Sequence, residues 1–276
     1  MINKQKFYSR ALVSALEKTK MNILRKPWYS SLIIFLIWLI VIMRVQDFPF
    51  GVHHRPLYQF EGKFINFHEL ISIIFFFGAI TYLKWWHQVG LKGLDNKLVE
   101  VFLGFESLGF ESRYLCFLWL PIMFLFQYIL LVLFADLPQT KVLMFVIINT
   151  LMVGICEELM FRGILFHGAS SSFGIWRAVW ITSIIFGALH ILSGFISGDF
   201  NASTIQAFHA FMFGFYMVAL RIRLDTIIPG IIIHWLWDCL IHLKYLSGYS
   251  GIWGESSLFY IPFFAYGLWL LRDYIP

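Results

Sequence analysis

Several ionisable residues lie within the most apolar stretches of this chain. Charge is costly in such stretches, so an ionisable group there is a candidate functional residue. Carboxylates and imidazoles are also the groups that general acid–base catalysis uses most often. The candidates are Glu157, Glu158, Arg162, His190, His234 and Asp238.

The first three candidates lie on one predicted helix. Glu158 and Arg162 are four residues apart and share a helix face, and Arg162 keeps its positive charge even when buried. We therefore expect Glu158 to pair with Arg162. Glu157 is rotated by about 100° on a helix of 3.6 residues per turn, so it points elsewhere. Two adjacent acids beside one cation predict one structural and one chemical role.

The other candidates lie on two further predicted helices. His234 and Asp238 share a face by the same spacing, and Phe186 lies one turn before His190, where it can pack beneath the ring. Counted at about 1.5 Å per residue, all the acids and imidazoles fall in one layer of the membrane. Three helices could thus bring them to one cavity. The alternative is that each is a satisfied polar contact between helices, which is how we interpret His209.

Composition identifies the elements that must position these residues. The chain has 276 residues, of which 59% are apolar and only 13% are charged, whereas soluble domains have about 25% charged residues. A soluble globule, a disordered chain and a disulfide scaffold are excluded. The apolar runs are continuous and do not alternate, which disfavours a β-barrel. The sequence therefore predicts an all-α, polytopic membrane protein.

Eight apolar runs are candidate transmembrane helices, since a helix needs about 20 mostly apolar residues to cross a bilayer. The predicted spans are Tyr29–Met43, Leu70–Leu83, Tyr114–Phe134, Val142–Phe166, Ala178–Phe195, Thr204–Leu220, Thr226–Tyr245 and Leu258–Leu271.

The distribution of Lys and Arg predicts the orientation. With eight spans, one side of the membrane carries about three times as many basic residues as the other, which predicts that both termini are cytosolic. Topology explains the net charge of +5, so no nucleic-acid partner is implied. Residues 1–28 are a basic segment, either an amphipathic helix on the anionic leaflet or a plain basic tail. Residues 29–276 form the membrane domain, with its core at about 142–245.

The candidate residues fall into three ordered motifs. They read Glu157-Glu158-x-x-x-Arg162, Phe186-x-x-x-His190 and His234-x-x-x-Asp238. This order and spacing resemble the signature of the CAAX-processing and bacteriocin-processing (CPBP) intramembrane proteases, also called type II CAAX prenyl endopeptidases. The resemblance implies about eight transmembrane helices around a cavity that opens to the cytosol, and endopeptidase activity on a peptide or protein that reaches the site from the cytosolic side.

The resemblance also implies a role for each residue. Glu157, with His190, would activate the attacking water, and Glu158 would hold Arg162. His234 and the residue at position 238 would hold the oxyanion or, in another view, bind a metal.

Position 238 departs from the best-known CAAX-cleaving members, which carry Asn there. An ionised Asp would repel an oxyanion, so Asp238 must be protonated or must ligate a metal. Glu157, His190, His234 and Asp238 would together suit Zn²⁺. Both possibilities remain open from the sequence.

Other functions are also compatible with buried acids and histidines. One is a non-catalytic family member that acts in bacteriocin immunity or in binding at the membrane. Another is a transporter with a proton relay, although the chain lacks paired, broken helices in its two halves. A thiol protease would need Cys156, which should face away from Glu157.

Overall fold

The computed structural model describes residues 26–44, 67–91, 115–248 and 260–274, and throughout these ranges the regular structure is helical, without a strand. Nearly all of the predicted basic segment 1–28 lies outside them. The helices are α1 Pro27–Arg44, α2 Phe67–Leu83, α3 Leu115–Phe134, α4 Thr140–Glu158, a π-helical segment Leu159–Leu165, α5 Phe166–Phe173, α6 Ile175–His190, α7 Gly194–Ser197, α8 Phe200–Leu224, α9 Ile228–Ser247 and α10 Ile261–Leu270.

Each predicted span overlaps a helix of the structure. By length and composition, three helices of the described part are long and apolar enough to cross a membrane: Thr140–Phe173, Ile175–Ser193 and Phe200–Leu224. These helices, in so apolar a chain, indicate an integral membrane protein. The number of helices that cross the bilayer stays a prediction.

The predicted helix bounds differ from the structure around the turn before α8. The span predicted to continue to Phe195 ends as an α-helix at His190, and a 3₁₀ turn, Ile191–Ser193, follows it. Gly198 then adopts a left-handed conformation with φ of 75°. The Asp199 side chain caps α8 by accepting a hydrogen bond from the Ala202 N–H at 2.9 Å. A polar cap and a glycine turn end and restart the helix inside an apolar pattern.

The helix that carries the two adjacent acids also runs further than predicted. It continues through the π-helical segment and α5 to Phe173. Single π-helical turns leave local backbone groups unmatched and often occur at functional sites. The Ser31 hydroxyl of α1 donates to the Ile164 carbonyl at 2.7 Å. A neighbouring helix thus supplies a partner for a carbonyl of the π-helical segment.

Helices α4 and α9 approach each other closely at Gly154. A Cβ at this position would lie 3.2 Å from both the Ile231 carbonyl oxygen and the Trp235 amide nitrogen. Trp235 also donates its indole N–H to the Ile147 carbonyl at 2.9 Å. This approach brings the C-terminal end of α4, with its two acids, against the face of α9 that carries His234.

The residues after α2, which we call the 84–91 segment, connect three helices. Arg221 of α8 donates to the Gln88 carbonyl at 3.0 Å. The Gly90 carbonyl accepts from the Thr226 hydroxyl at 2.9 Å and from the Ile227 N–H at 3.1 Å, just before α9. Val89 is fully buried, and a Cβ at Gly163 of the π-helical segment would lie 3.2 Å from it. The 84–91 segment thus links the helices that hold the site.

The C-terminal turn is fastened to the end of α8. Arg223 donates to the Leu270 carbonyl and lies 2.6 Å from the Asp273 carboxylate. The hydrogen bond from Arg223 lowers the pKa of the exposed Asp273 carboxyl below its ordinary value. The end of α10 is therefore held beside the end of α8.

Candidate active site

Glu158 lies at the centre of the candidate site and is completely buried. Its Oε1 lies 3.0 Å from Arg162 Nη1, which is the ion pair that the spacing predicts. The same oxygen lies 2.9 Å from His234 Nδ1 of α9. One carboxylate oxygen therefore connects the acid motif to the His234 motif.

The His234 ring has carboxylates on both of its nitrogens. Nδ1 faces Glu158, while Nε2 lies 3.6 Å from Glu157 Oε2 and 3.6 Å from Asp238 Oδ2. Glu157 and Glu158 thus approach the same imidazole on different sides, as expected for two side chains about 100° apart on a helix. Five of the six predicted residues are linked directly in this way.

The carboxyl groups around His234 are placed where they can share a proton with its ring. An ionised Glu158, paired with Arg162, only accepts hydrogen bonds, so His234 Nδ1 is the donor. Nε2 then faces two further carboxyl groups. Both contacts are longer than a hydrogen bond, and a proton on Nε2, Glu157 or Asp238 would place a donor among these acceptors. Such a proton would belong to the group as a whole, as in other coupled carboxylate and imidazole sites.

Arg162 is almost completely buried and lies against an aromatic ring. Its guanidinium carbon is 4.2 Å from the centre of the Phe186 ring and 5.9 Å from that of Phe161. No nitrogen of Arg162 has a hydrogen bond of good geometry among the described residues. The charge is therefore balanced by the Glu158 ion pair and by the face of Phe186, since a desolvated cation–π contact can contribute about 2 kcal/mol.

His190, the sixth predicted residue, joins the others through Phe186. The Phe186 ring lies 5.0 Å from the His190 ring and 6.0 Å from the His234 ring, edge to face in both cases. His190 Nδ1 lies 2.9 Å from the Phe186 carbonyl oxygen. Because a carbonyl only accepts, Nδ1 is the donor, and Nε2 of the neutral ring keeps its lone pair. His190 is half-buried.

Exposure separates the two predicted kinds of carboxylate. The side chains of Glu157 and Asp238 are 18% and 24% exposed, whereas Glu158 is 0% exposed. The carboxylates on the Nε2 side of His234 are therefore partly exposed, and the carboxylate on the Nδ1 side is not. This geometry favours a chemical role for Glu157 and a positioning role for Glu158.

The sequence is compatible with a metal ion bound by Glu157, His190, His234 and Asp238. Within the described ranges, no three side chains of His, Cys, Asp or Glu are grouped so that they could hold a metal ion. As placed, the set does not fit a bound metal, and we derive no step through one. A shared proton is the alternative for Asp238 that remains consistent with the geometry.

Two other residues that the sequence singled out lie apart from this chemistry. The Cys156 thiol is buried and donates to the Glu69 carbonyl at 3.3 Å. The His209 ring stacks on Tyr260 with centroids 4.1 Å apart. A packing role for His209 agrees with our interpretation of its sequence context.

Two contributors to the site were not expected from the sequence. Phe186 was expected only beneath His190, but its ring also contacts Arg162 and His234. The second is Gly230, which lies against Glu158. The sequence does contain a pattern that includes Gly230. This glycine, His234 and Asp238 are spaced four residues apart and therefore share one face of α9.

Comparison with known proteins assigns a family to this part of the chain. The family model described as type II CAAX prenyl endopeptidase Rce1-like matches residues 139–240, just over a third of the chain. All six predicted site residues lie within the match. Comparison with curated proteins and with solved structures gives no match. The family predicted from the three motifs is confirmed, and residues 139–240 form a domain of the Rce1-like type II CAAX prenyl endopeptidase family.

Proposed function

We propose that this protein is an intramembrane endopeptidase of the CAAX-protease type. The observation that carries the proposal is the group of acids around His234, with Glu158 and Arg162 buried and Glu157 and Asp238 accessible. A solely structural cluster would gain nothing from leaving two of its carboxylates partly uncovered.

In the proposed reaction, Glu157 is the general base. It takes a proton from a water molecule, which attacks the carbonyl carbon of the scissile peptide bond. The proton then passes to the leaving amine as the C–N bond breaks. His190, with a lone pair on Nε2, assists in taking up and returning that proton.

The proton shared by His234 Nε2, Glu157 and Asp238 serves the second half of the proposal. A protonated Nε2 or a protonated Asp238 can donate to the oxyanion of the tetrahedral intermediate. Glu158 and Arg162 do not touch the substrate. They hold His234 Nδ1 and so fix the direction of Nε2.

We further propose the predicted topology: eight transmembrane helices, cytosolic termini and a site that a peptide or protein substrate reaches from the cytosolic side. Helix contacts support it. The regions assigned to the cytosolic side lie beside one another, since Trp28 packs on Phe173 and Arg221 bonds to Gln88.

The test compares cleavage by wild-type protein with cleavage by Glu157→Gln and His190→Ala. Membranes from cells that express each form are examined by mass spectrometry for new peptide termini, and each purified form is incubated with a farnesylated CAAX peptide. We expect products with wild type and none with either variant, while both variants unfold thermally near the wild-type temperature. Chelators are expected to leave cleavage unchanged.

Matched controls are His87→Ala and Asp136→Asn, since both residues are exposed and distant in sequence from the site. Both controls should cleave as wild type does. Equal product from wild type and Glu157→Gln would overturn the proposal. If Glu157→Gln also preserved a protective effect of the protein against a bacteriocin, the non-catalytic immunity function would be favoured instead.

A further inference from the structure

The second oxygen of Glu158 lies in an unusual place. Oε1 is held by Arg162 and His234, but Oε2 is buried and has no hydrogen-bond partner among the described residues. It lies against Gly230, in the first turn of α9. A Cβ at position 230 would be 2.9 Å from Oε2 and 3.5 Å from Glu158 Cδ. The contact of 2.9 Å is shorter than real Cβ atoms show, so the carboxylate oxygen occupies space that a side chain would take.

The carboxylate cannot easily move away from an added methyl group. Its other oxygen accepts from His234 at 2.9 Å and lies 3.0 Å from Arg162, and Glu158 is fully buried. The Met217 side chain also lies near the same place, 3.7 Å from a Cβ at position 230. A shift of the carboxylate would therefore pull on the bond to His234 Nδ1.

Arg162 is seated in a similar way on α8. A Cβ at Gly214 would lie 3.2 Å from Arg162 Nη2 and 2.9 Å from Phe186 Cδ1. Both partners of the buried ion pair thus rest against a glycine of a neighbouring helix. The pair is fixed by backbone surfaces as well as by its own attraction.

We infer that Gly230 is a positioning residue of the active site: the absence of a side chain there sets the position of Glu158 and, through Glu158, the orientation of the His234 ring. The catalytic part of this inference rests on the proposed endopeptidase activity. Gly230 touches neither substrate nor the accessible carboxylates, so its effect on the reaction passes through Glu158 and His234.

The primary test is Gly230→Ala, with Gly78→Ala as the control. Gly78 lies in α2, where an added Cβ would meet nothing within 4 Å, so it reports the general effect of replacing a helical glycine. We expect Gly230→Ala to lower kcat by about tenfold or more, because small misplacements of a catalytic group have effects of this size. KM should change little, since a transition-state contact is lost and substrate binding is not.

A double-mutant cycle with Glu158→Asp distinguishes positioning from a general packing defect. The shorter side chain withdraws the carboxylate from Gly230. In the Glu158→Asp background, Gly230→Ala should therefore lower kcat and the thermal unfolding temperature much less than it does in wild type. The unfolding temperature decides the question even if Glu158→Asp does not cleave.

Two outcomes would overturn the inference. One is that Gly230→Ala behaves as Gly78→Ala does, and the other is that the effects of Gly230→Ala and Glu158→Asp simply add. If wild type cleaves no peptide, the proposed activity fails, but the unfolding temperatures still decide whether Gly230 sets the position of Glu158. The two proposals can thus fail separately.

Discussion

At the scale of single residues, the site divides into a buried half and an accessible half around one imidazole. Spacing alone predicts the Glu158–Arg162 pair, because i and i+4 side chains of a helix meet whatever surrounds them. It could not predict that Glu157, Glu158 and Asp238 all face His234. That contact lies between helices and depends on how closely α4 approaches α9 at Gly154.

Arg162 allows the strength of the buried half to be measured. Arg162→Ala would leave Glu158 as an uncompensated buried charge, which typically costs about 3–5 kcal/mol. Arg162→Lys keeps the charge but loses the flat guanidinium that covers Phe186, so it should be destabilised to an intermediate degree. Thermal unfolding in detergent measures both variants. If Arg162→Ala unfolded at the same temperature as wild type, the role assigned to the ion pair would be contradicted.

At the scale of elements, short irregular pieces hold the long helices in register. The 84–91 segment contacts α8, the residues just before α9 and the π-helical segment. Neither the π-helical segment nor this segment could be predicted from the sequence. The residues around Arg162 are uniformly apolar, so hydrophobic periodicity carries no information there.

Gly90 provides a test of the 84–91 segment. Its φ is +78°, and a Cβ there would lie 2.5 Å from Arg221 Nε. Gly90→Ala therefore adds both backbone strain and a clash, and it should lower the unfolding temperature. Gly198→Ala is the matched control, because Gly198 has a φ of +75° and open space around it. It reports the strain alone.

The clash can be removed separately. In an Arg221→Ala background, Gly90→Ala should lower the unfolding temperature less than it does in wild type, since the added methyl group then has room. If Gly90→Ala were no more destabilised than Gly198→Ala, the 84–91 segment would not be clamped by Arg221 in the way the distances indicate.

At the scale of the whole molecule, the low content of charged residues predicted a membrane protein. The distribution of Lys and Arg predicted which side of the membrane each connecting segment faces. The structure is helical where it is described, and a helix overlaps each predicted span. Sidedness stays a prediction, because it depends on a membrane that acts on the chain during insertion. The contact between Trp28 and Phe173 is consistent with the predicted topology.

Labelling of introduced cysteines tests this topology. Ser172→Cys and Asn201→Cys place a thiol at exposed positions near opposite ends of the helices, in a Cys116→Ser background that retains the buried Cys156 and Cys239. A membrane-impermeant maleimide should react with Ser172→Cys only in inside-out vesicles and with Asn201→Cys only in right-side-out vesicles. The reverse pattern would place the termini outside and would contradict the predicted cytosolic orientation.

The π-helical segment Leu159–Leu165 also affects how the sequence of this helix can change in evolution. A π-helical turn holds one residue more than an α-helical turn. Loss of one residue within it would restore an ordinary helical turn with little rotation of α5, because the extra residue is accommodated within the π-helical turn itself. The change would fall on the residues of that turn, which include Arg162. One-residue deletions in relatives are therefore expected to leave the packing of α5 on α1 intact but to move Arg162 relative to Glu158.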